Sequence, residues 1–115
     1  MYFLIQNSKN IIMSRLNINF ETPHFTADQS LLDYISTKLT KAENYFDNIQ
    51  SIDVYMKLEN SGQVKEKLID LKLRVPGKTL LASGSDKSFE GAYDQAASAL
   101  KKQILKYKER LRASK

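Results

Sequence analysis

Three segments of the chain alternate apolar and polar residues with a period of two, which predicts β-strands that bury one face. The apolar face of the first consists of Leu16, Ile18 and Phe20. Those of the second and third are Ile52, Val54, Met56 and Leu58, followed by Ile69, Leu71, Leu73 and Val75. Residues 60–63 (Asn-Ser-Gly-Gln) favour a hairpin turn between these two strands. A second turn at residues 76–78 (Pro-Gly-Lys) predicts a short fourth strand from Thr79 to Ser85.

A helical spacing of apolar residues follows the first strand. Its stripe consists of Leu31, Leu32, Ile35, Leu39, Ala42 and Phe46. Thr26 and Gln29 form a capping-box pattern at the start, and we expect the helix to end near Tyr45. The sequence therefore predicts a helix with one buried face.

The last segment has the same spacing and predicts a longer helix, from about Phe89 to Leu111, capped by Asp86 or Ser88. Its stripe toward the C-terminal end consists of Leu100, Ile104, Tyr107 and Leu111. We expect this stripe to pack on the sheet, because the strands need an apolar cover.

The predicted element order is β-α-β-β-β-α, which defines an α+β fold. Each strand offers one apolar face and each helix one apolar stripe, so we expect a four-stranded sheet with both helices packed on one face. We expect the first crossover to be right-handed and to leave the first two strands parallel. The other face of the sheet is then open to solvent and presents Tyr55, Lys57, Lys72 and Arg74. For Tyr55, cross-strand packing and stacking on a nucleic-acid base both remain open.

The length of 115 residues suits one domain, which we expect to span residues 13–115. Residues 1–12 are expected to be disordered, or to be an over-extended start if translation begins at Met13. The chain has no cysteine, which excludes disulfides and sulfur ligands for metals. No apolar run approaches the roughly 20 residues of a membrane span, and the N-terminus lacks signal-peptide features, so we expect a cytoplasmic protein.

The sequence offers little for catalysis. Its single histidine, His24, follows Pro23 in a predicted loop, where a turn residue is more common than a general base. Glu90 and Asp94 lie one turn apart near the start of the last helix, where the helix dipole favours acids. No glycine-rich phosphate loop or metal-ligand cluster is present. We expect neither an enzyme nor a cofactor or small-molecule substrate.

Positive charge is concentrated at the end of the chain. Of the 18 Lys and Arg residues, seven lie within residues 101–115 against one acid, Glu109, so this stretch carries +6. The residues before it contain 11 basic and 12 acidic side chains. A nearly neutral domain that ends in a concentrated basic element is typical of proteins that bind a polyanion, most often nucleic acid.

Helical phasing separates these charges into two rows that flank the apolar stripe. One row is Lys102, Lys106 and Arg110, and the other is Lys101, Lys108 and Arg112. Lys38 and Lys41 of the first helix would extend a row if the two helices pack side by side. Cations near a helix C-terminus are favoured by about 0.3–1 kcal/mol each, which accounts for two or three of them. The others indicate a face that binds a polyanion.

The two helices also resemble those of the ribosome hibernation-promoting factors, also called ribosome-associated translation inhibitors. In the first helix the matching residues are Leu31, Tyr34, Ile35, Lys38, Leu39 and Lys41. In the last helix they are Phe89, Glu90, Ala92, Asp94, Ala96, Leu100, Gln103, Ile104, Lys106 and Lys108. The resemblance covers about residues 16–112 and is specific because both helices occur in the right order with three strands between them.

The resemblance implies a fold similar to double-stranded-RNA-binding domains and a single ribosome-binding domain of the short form. It implies binding in the decoding cleft of the small ribosomal subunit, where the protein blocks mRNA and tRNA when growth stops or under stress. It assigns RNA binding to Lys101, Lys102, Lys106, Lys108, Arg110, Lys38 and Lys41. Leu105 departs from the pattern, since a basic residue is frequent there. The protein itself is expected to be monomeric.

Two other functions remain open from the sequence. A generic module that binds double-stranded RNA away from the ribosome has the same pattern of elements. A basic amphipathic helix that binds membranes or partner proteins would need its apolar stripe free, whereas the strands require that stripe as core.

Overall fold

The computed structural model describes residues 17–22, 26–41, 49–61 and 64–113. Its elements are β1 (Ile18–Glu21), α1 (Gln29–Thr40), β2 (Ser51–Ser61), β3 (Val64–Val75), β4 (Lys78–Asp86) and α2 (Phe89–Ala113). The predicted order of strands and helices is therefore confirmed. The predictions for residues 1–12, Met13, Leu16 and His24, the end of the first helix near Tyr45, and the centre of the first hairpin turn lie outside the described residues.

The four strands form one sheet in the order β1-β2-β3-β4. β1 is parallel to β2, with Ile18 beside Ile52, as the crossover rule predicts. The β2–β3 and β3–β4 pairs are antiparallel. Gly77 allows the tight turn between β3 and β4, because its φ of +77° is one that other residues rarely adopt.

The predicted apolar faces form one core between the sheet and the two helices. Its members from the strands are Ile18, Ile52, Val54, Met56, Ile69, Leu71, Leu73, Val75, Leu80 and Ala82. Its members from the helices are Leu31, Leu32, Ile35, Leu39, Phe89, Ala92, Tyr93, Ala96, Leu100, Ile104 and Tyr107. The α+β prediction of a four-stranded sheet with both helices on one face is confirmed.

Two residues assigned to the core from the sequence are exposed. Leu58 is 50% exposed because it lies at the end of the sheet, where its neighbour Lys67 pairs with Asp86, the last residue of β4. Leu111 is 43% exposed because the sheet ends at the β3–β4 turn, one helical turn earlier along α2. Both predictions were wrong for the same reason: the apolar repeat in the sequence extends beyond the neighbouring strand or helix that would bury it.

The sequence predicted the N-terminal cap of α2 correctly but not that of α1. Thr26 and Gln29 do not form a capping box, because the N-cap of α1 is Asp28, and Gln29 instead donates to Asp33 Oδ1 at 2.9 Å. At α2 the predicted cap is confirmed. Ser88 Oγ accepts from the backbone N–H of Gly91 at 3.0 Å, and Asp86 Oδ2 accepts from the backbone N–H of Ser88 at 3.2 Å.

Candidate nucleic-acid interface

The basic residues of α2 lie around a helix whose opposite side is core. Of the predicted RNA-binding residues, Lys101, Lys102, Lys106 and Arg110 are exposed and Lys108 is half-buried. Leu105 is exposed among them, at 45%. One element thus closes the core and presents positive charge to solvent, as the sequence predicts.

Helix α2 is held closely against β4. A side chain at Gly84 would place its Cβ 2.1 Å from the carbonyl oxygen of Ala92, so only glycine allows this approach. Gln95 Oε1 accepts from the backbone N–H of Ser85 at 3.2 Å, and Gln103 Nε2 donates to the carbonyl oxygen of Leu81. These glutamines occupy hydrogen-bonding groups of the outermost strand, and such groups are otherwise open to pairing with another chain. The sequence gives no sign of these contacts, because they depend on how the helix lies on the strand.

The end of α2 is fixed to the turn between β3 and β4. The hydroxyl of Tyr107 donates to the carbonyl oxygen of Pro76 at 2.7 Å. Lys106 and Arg110, which flank Tyr107 in the helix, therefore lie beside this turn. They line a pocket of about 330 Å³ together with Lys78, Leu80, Gln103 and Tyr107. Sequence reasoning missed Lys78, because only the folded turn brings it next to the helix.

The two cationic rows lie on different sides of α2. Gln95, Gln103, Lys106 and Arg110 are on the side that faces β4. Asp94 faces α1, and Lys101 is seven residues, or about two turns, further along the same face. The structure therefore separates the row of Lys106 from the row of Lys101, as helical phasing predicts.

Lys38 is part of a cluster that joins the two helices. Its ammonium lies 3.5 Å from Asp94 Oδ1 and 4.7 Å from the centre of the Tyr34 ring, and the Tyr34 hydroxyl donates to the same carboxylate oxygen at 3.3 Å. A hydrogen bond with Tyr34 and, next, the charge of Asp94 hold the pKa of Lys38 above its ordinary value. Lys38 thus has an acidic neighbour within the protein, which the sequence did not reveal. Lys41 is exposed at the C-terminal end of α1.

The open face of the sheet carries both signs of charge in contact. Asp53 accepts from Arg74 at 3.0 Å, and Asp70 lies 3.3 Å from Lys57. Tyr55 lies between them and is half-buried. The Lys57–Asp70 pair is exposed and stabilises the fold little, whereas Asp53 is buried; both pairs neutralise the surface locally. Among the described residues, the unbalanced positive charge is therefore on the helix side.

The sequence matches the family described as sigma 54 modulation protein / S30EA ribosomal protein over residues 18–112. The chain belongs to this family. The match spans every strand and all but the last residue of the described helices, so the resemblance predicted from the two helix motifs is confirmed.

Relatives and solved structures agree with this assignment. The ribosome hibernation promoting factor of Pseudomonas putida is 30% identical over 95 residues, which cover 83% of this chain and 89% of that protein. The factor of the same name from Escherichia coli K12 is 29% identical over 98 residues, covering 85% and 97%. A ribosomal subunit interface protein from Coxiella burnetii has the same fold, with a TM-score of 0.71 at 20% identity over 81% of this chain and 98% of that one. The N-terminal domain of Thermus thermophilus Protein Y gives 0.68 at 20% identity over 79% and 98%.

The described part of the chain contains neither a membrane-spanning helix nor a cluster of metal ligands. None of its helices has the length and apolar character needed to cross a membrane. Among the same residues, no group of three or more His, Cys, Asp or Glu side chains is arranged to hold a metal ion.

Proposed function

We propose that the protein is a ribosome-associated hibernation factor that binds idle ribosomes in the cytoplasm and keeps them inactive. Family membership supports this function, as do relatives named ribosome hibernation promoting factor that align over most of their length. The observation that carries the proposal is the basic helix α2, which is clamped to the core and presents cations along both of its flanks.

The finer part of the proposal concerns where the protein binds. The helix side lies against ribosomal RNA in the decoding cleft of the small subunit, with the sheet face directed away. Lys101, Lys102, Lys106, Lys108, Arg110 and Lys41 contact phosphates, and Lys38 shares its charge with Asp94 while holding α1 beside α2. Contacts of this kind read the shape and charge of RNA rather than its bases. Inhibition is then steric, because a protein in this cleft occupies the space of mRNA and tRNA.

Phosphate contacts make the affinity depend steeply on salt, because each one releases counterions from the RNA. If about five phosphates are engaged, the logarithm of the binding constant falls with the logarithm of the salt concentration with a slope of roughly −3.5 to −4.5. Between 50 and 200 mM salt, that slope weakens binding roughly one hundred- to five hundred-fold.

The partner is tested with purified protein and three ligands: small subunits, large subunits and a free RNA duplex, each over a series of salt concentrations. We expect the tightest binding to small subunits, loss of that binding when mRNA and tRNA already occupy them, and inhibition of translation in a purified system. Equal affinity for small subunits and free duplex, with no effect of mRNA or tRNA, would instead identify a generic module for double-stranded RNA.

A further inference from the structure

The pocket at the C-terminal end of α2 collects three cations from two elements. Lys106 and Arg110 come from the helix, and Lys78 comes from the first residue of β4. Leu80, Gln103 and Tyr107 complete the lining, so the pocket of about 330 Å³ contains no acidic side chain. Its volume accommodates a phosphate group together with part of the sugar that carries it.

The backbone on both sides of this pocket is fixed. Tyr107 donates to the carbonyl oxygen of Pro76 at 2.7 Å, and Gln103 donates to that of Leu81. Lys106 lies between Gln103 and Tyr107 in the helix, and Lys78 lies between Pro76 and Leu81 in the other segment. The two hydrogen bonds therefore fix the backbone that carries Lys78 and Lys106. As a result, less conformational freedom is lost when an anion binds between these lysines.

The pocket differs from the other places where cations meet in this domain. On the sheet face Lys57 and Arg74 each lie beside an aspartate, and on α1 Lys38 lies beside Asp94. Within the described residues, neither Lys78 nor Lys106 has an acidic side chain within 4.0 Å. Cations that lie close together repel one another, and an anion bound between them offsets this repulsion by attracting each cation.

We propose that this pocket binds a single phosphate group of the RNA backbone, contacted jointly by Lys78, Lys106 and Arg110. The proposal rests on the function proposed above and adds to it a defined anchoring site and a residue, Lys78, outside the two helices. Arginine offers a planar pair of donors to phosphate oxygens, and the lysines contribute point charges from two directions. Because the pocket sits where α2 meets the β3–β4 turn, the bound phosphate sets the position of the helix along the RNA.

The test compares Lys78→Gln, Lys106→Gln and the triple variant Lys78→Gln/Lys106→Gln/Arg110→Gln in binding to small subunits over a salt series. If all three cations contact one phosphate, the triple variant loses one contact, and its slope becomes shallower by roughly 0.7–0.9. That change corresponds to roughly five- to eight-fold weaker binding at 0.1 M salt. If they contact separate phosphates, the triple variant loses roughly three times that slope, and this result would overturn the proposal.

Two controls separate the pocket from charge in general. Lys72→Gln removes the same charge from the sheet face and should leave the affinity unchanged, whereas Lys78→Arg keeps the charge in the pocket and should bind like the unaltered protein. If the unaltered protein binds small subunits but Lys78→Gln binds equally well, the pocket proposal fails while the proposed function stands. If the unaltered protein binds neither small subunits nor an RNA duplex, both fail.

Discussion

Replacing Gly84 by alanine tests whether α2 lies on β4 as closely as the structure has it. The added Cβ would lie 2.1 Å from the carbonyl oxygen of Ala92 and 2.7 Å from the backbone nitrogen of Ala96. Ordinary contacts begin at 3.4 Å, so the helix would have to move by more than 1 Å. Both neighbours are backbone atoms within a helix, and no side-chain rotation can relieve the clash.

The size of the effect follows from this geometry. Overpacking of a well-packed core costs about 1–3 kcal/mol, occasionally more. Because the whole helix must shift, we expect Gly84→Ala to lower the free energy of unfolding by about 3 kcal/mol or more. For a domain of this size, a loss of that magnitude lowers the melting temperature by roughly 12 °C.

Thermal unfolding followed by circular dichroism measures this change, with Gly77→Ala as the matched control. Gly77 has open space around its Cβ position but a φ of +77°, so its substitution costs only backbone strain, about 1–2 kcal/mol. We expect Gly84→Ala to melt well below Gly77→Ala. If Gly84→Ala melts at the temperature of the unaltered protein, α2 does not approach β4 this closely. The inference that the basic helix is held rigidly against the sheet would then be wrong.

Four other substitutions probe the packing and the charges of the helices. Ile104→Ala should lower the free energy of unfolding by about 2–5 kcal/mol, whereas Leu111→Ala should change it by less than about 0.5 kcal/mol, both measured by urea denaturation; equal losses would place Leu111 in the core after all. Tyr107→Phe should cost about 0.5–1.5 kcal/mol in the same assay, because the β3–β4 turn loses its hydrogen bond, and no loss would mean that this bond does not hold the helix. Tyr34→Phe should lower the pKa of Lys38 toward the ordinary 10.5 in an NMR titration of the lysine side chains, since the Tyr34 hydrogen bond is the main cause that raises it. A raised lysine pKa stabilises the fold at neutral pH and loses that effect only above about pH 10.5, so an unchanged pKa in Tyr34→Phe would contradict the assignment of its cause.

The sequence predicted best where a local pattern and the fold agree. The period of two in β2 and β3 correctly identified both faces of the sheet, from the buried Val54 to the exposed Arg74. The stripe of α2 gave the buried Leu100 and Ile104, and the hydroxyl and carboxylate before the helix gave its cap. In each case the residues that determine the structure are close together in the chain.

Predictions from the sequence were wrong or missing where the structure depends on contacts between residues that are far apart in the chain. Leu58 and Leu111 continue their patterns, yet the surfaces that would bury them end earlier. Lys38 meets Asp94, which is 56 residues away, so its partner has no local signal. Lys78 joins the basic helix only because the β3–β4 turn returns the chain to α2. The positive charge of the site could therefore be predicted from the sequence. Which cations pair with an acidic residue and which gather in the pocket could not.

In the proposed binding mode the helix side, and not the sheet face, contacts RNA. The most direct test of this binding mode is the salt dependence of binding to small ribosomal subunits for two charge-matched variants, Lys101→Gln/Lys102→Gln on α2 and Lys57→Gln/Lys72→Gln on the sheet. Circular dichroism first confirms that both remain folded. We predict that the helix pair makes the slope shallower by roughly 1.4–1.8 and weakens binding roughly 25- to 60-fold at 0.1 M salt, while the sheet pair binds normally. Equal losses in the two variants, or a loss confined to the sheet pair, would contradict the account.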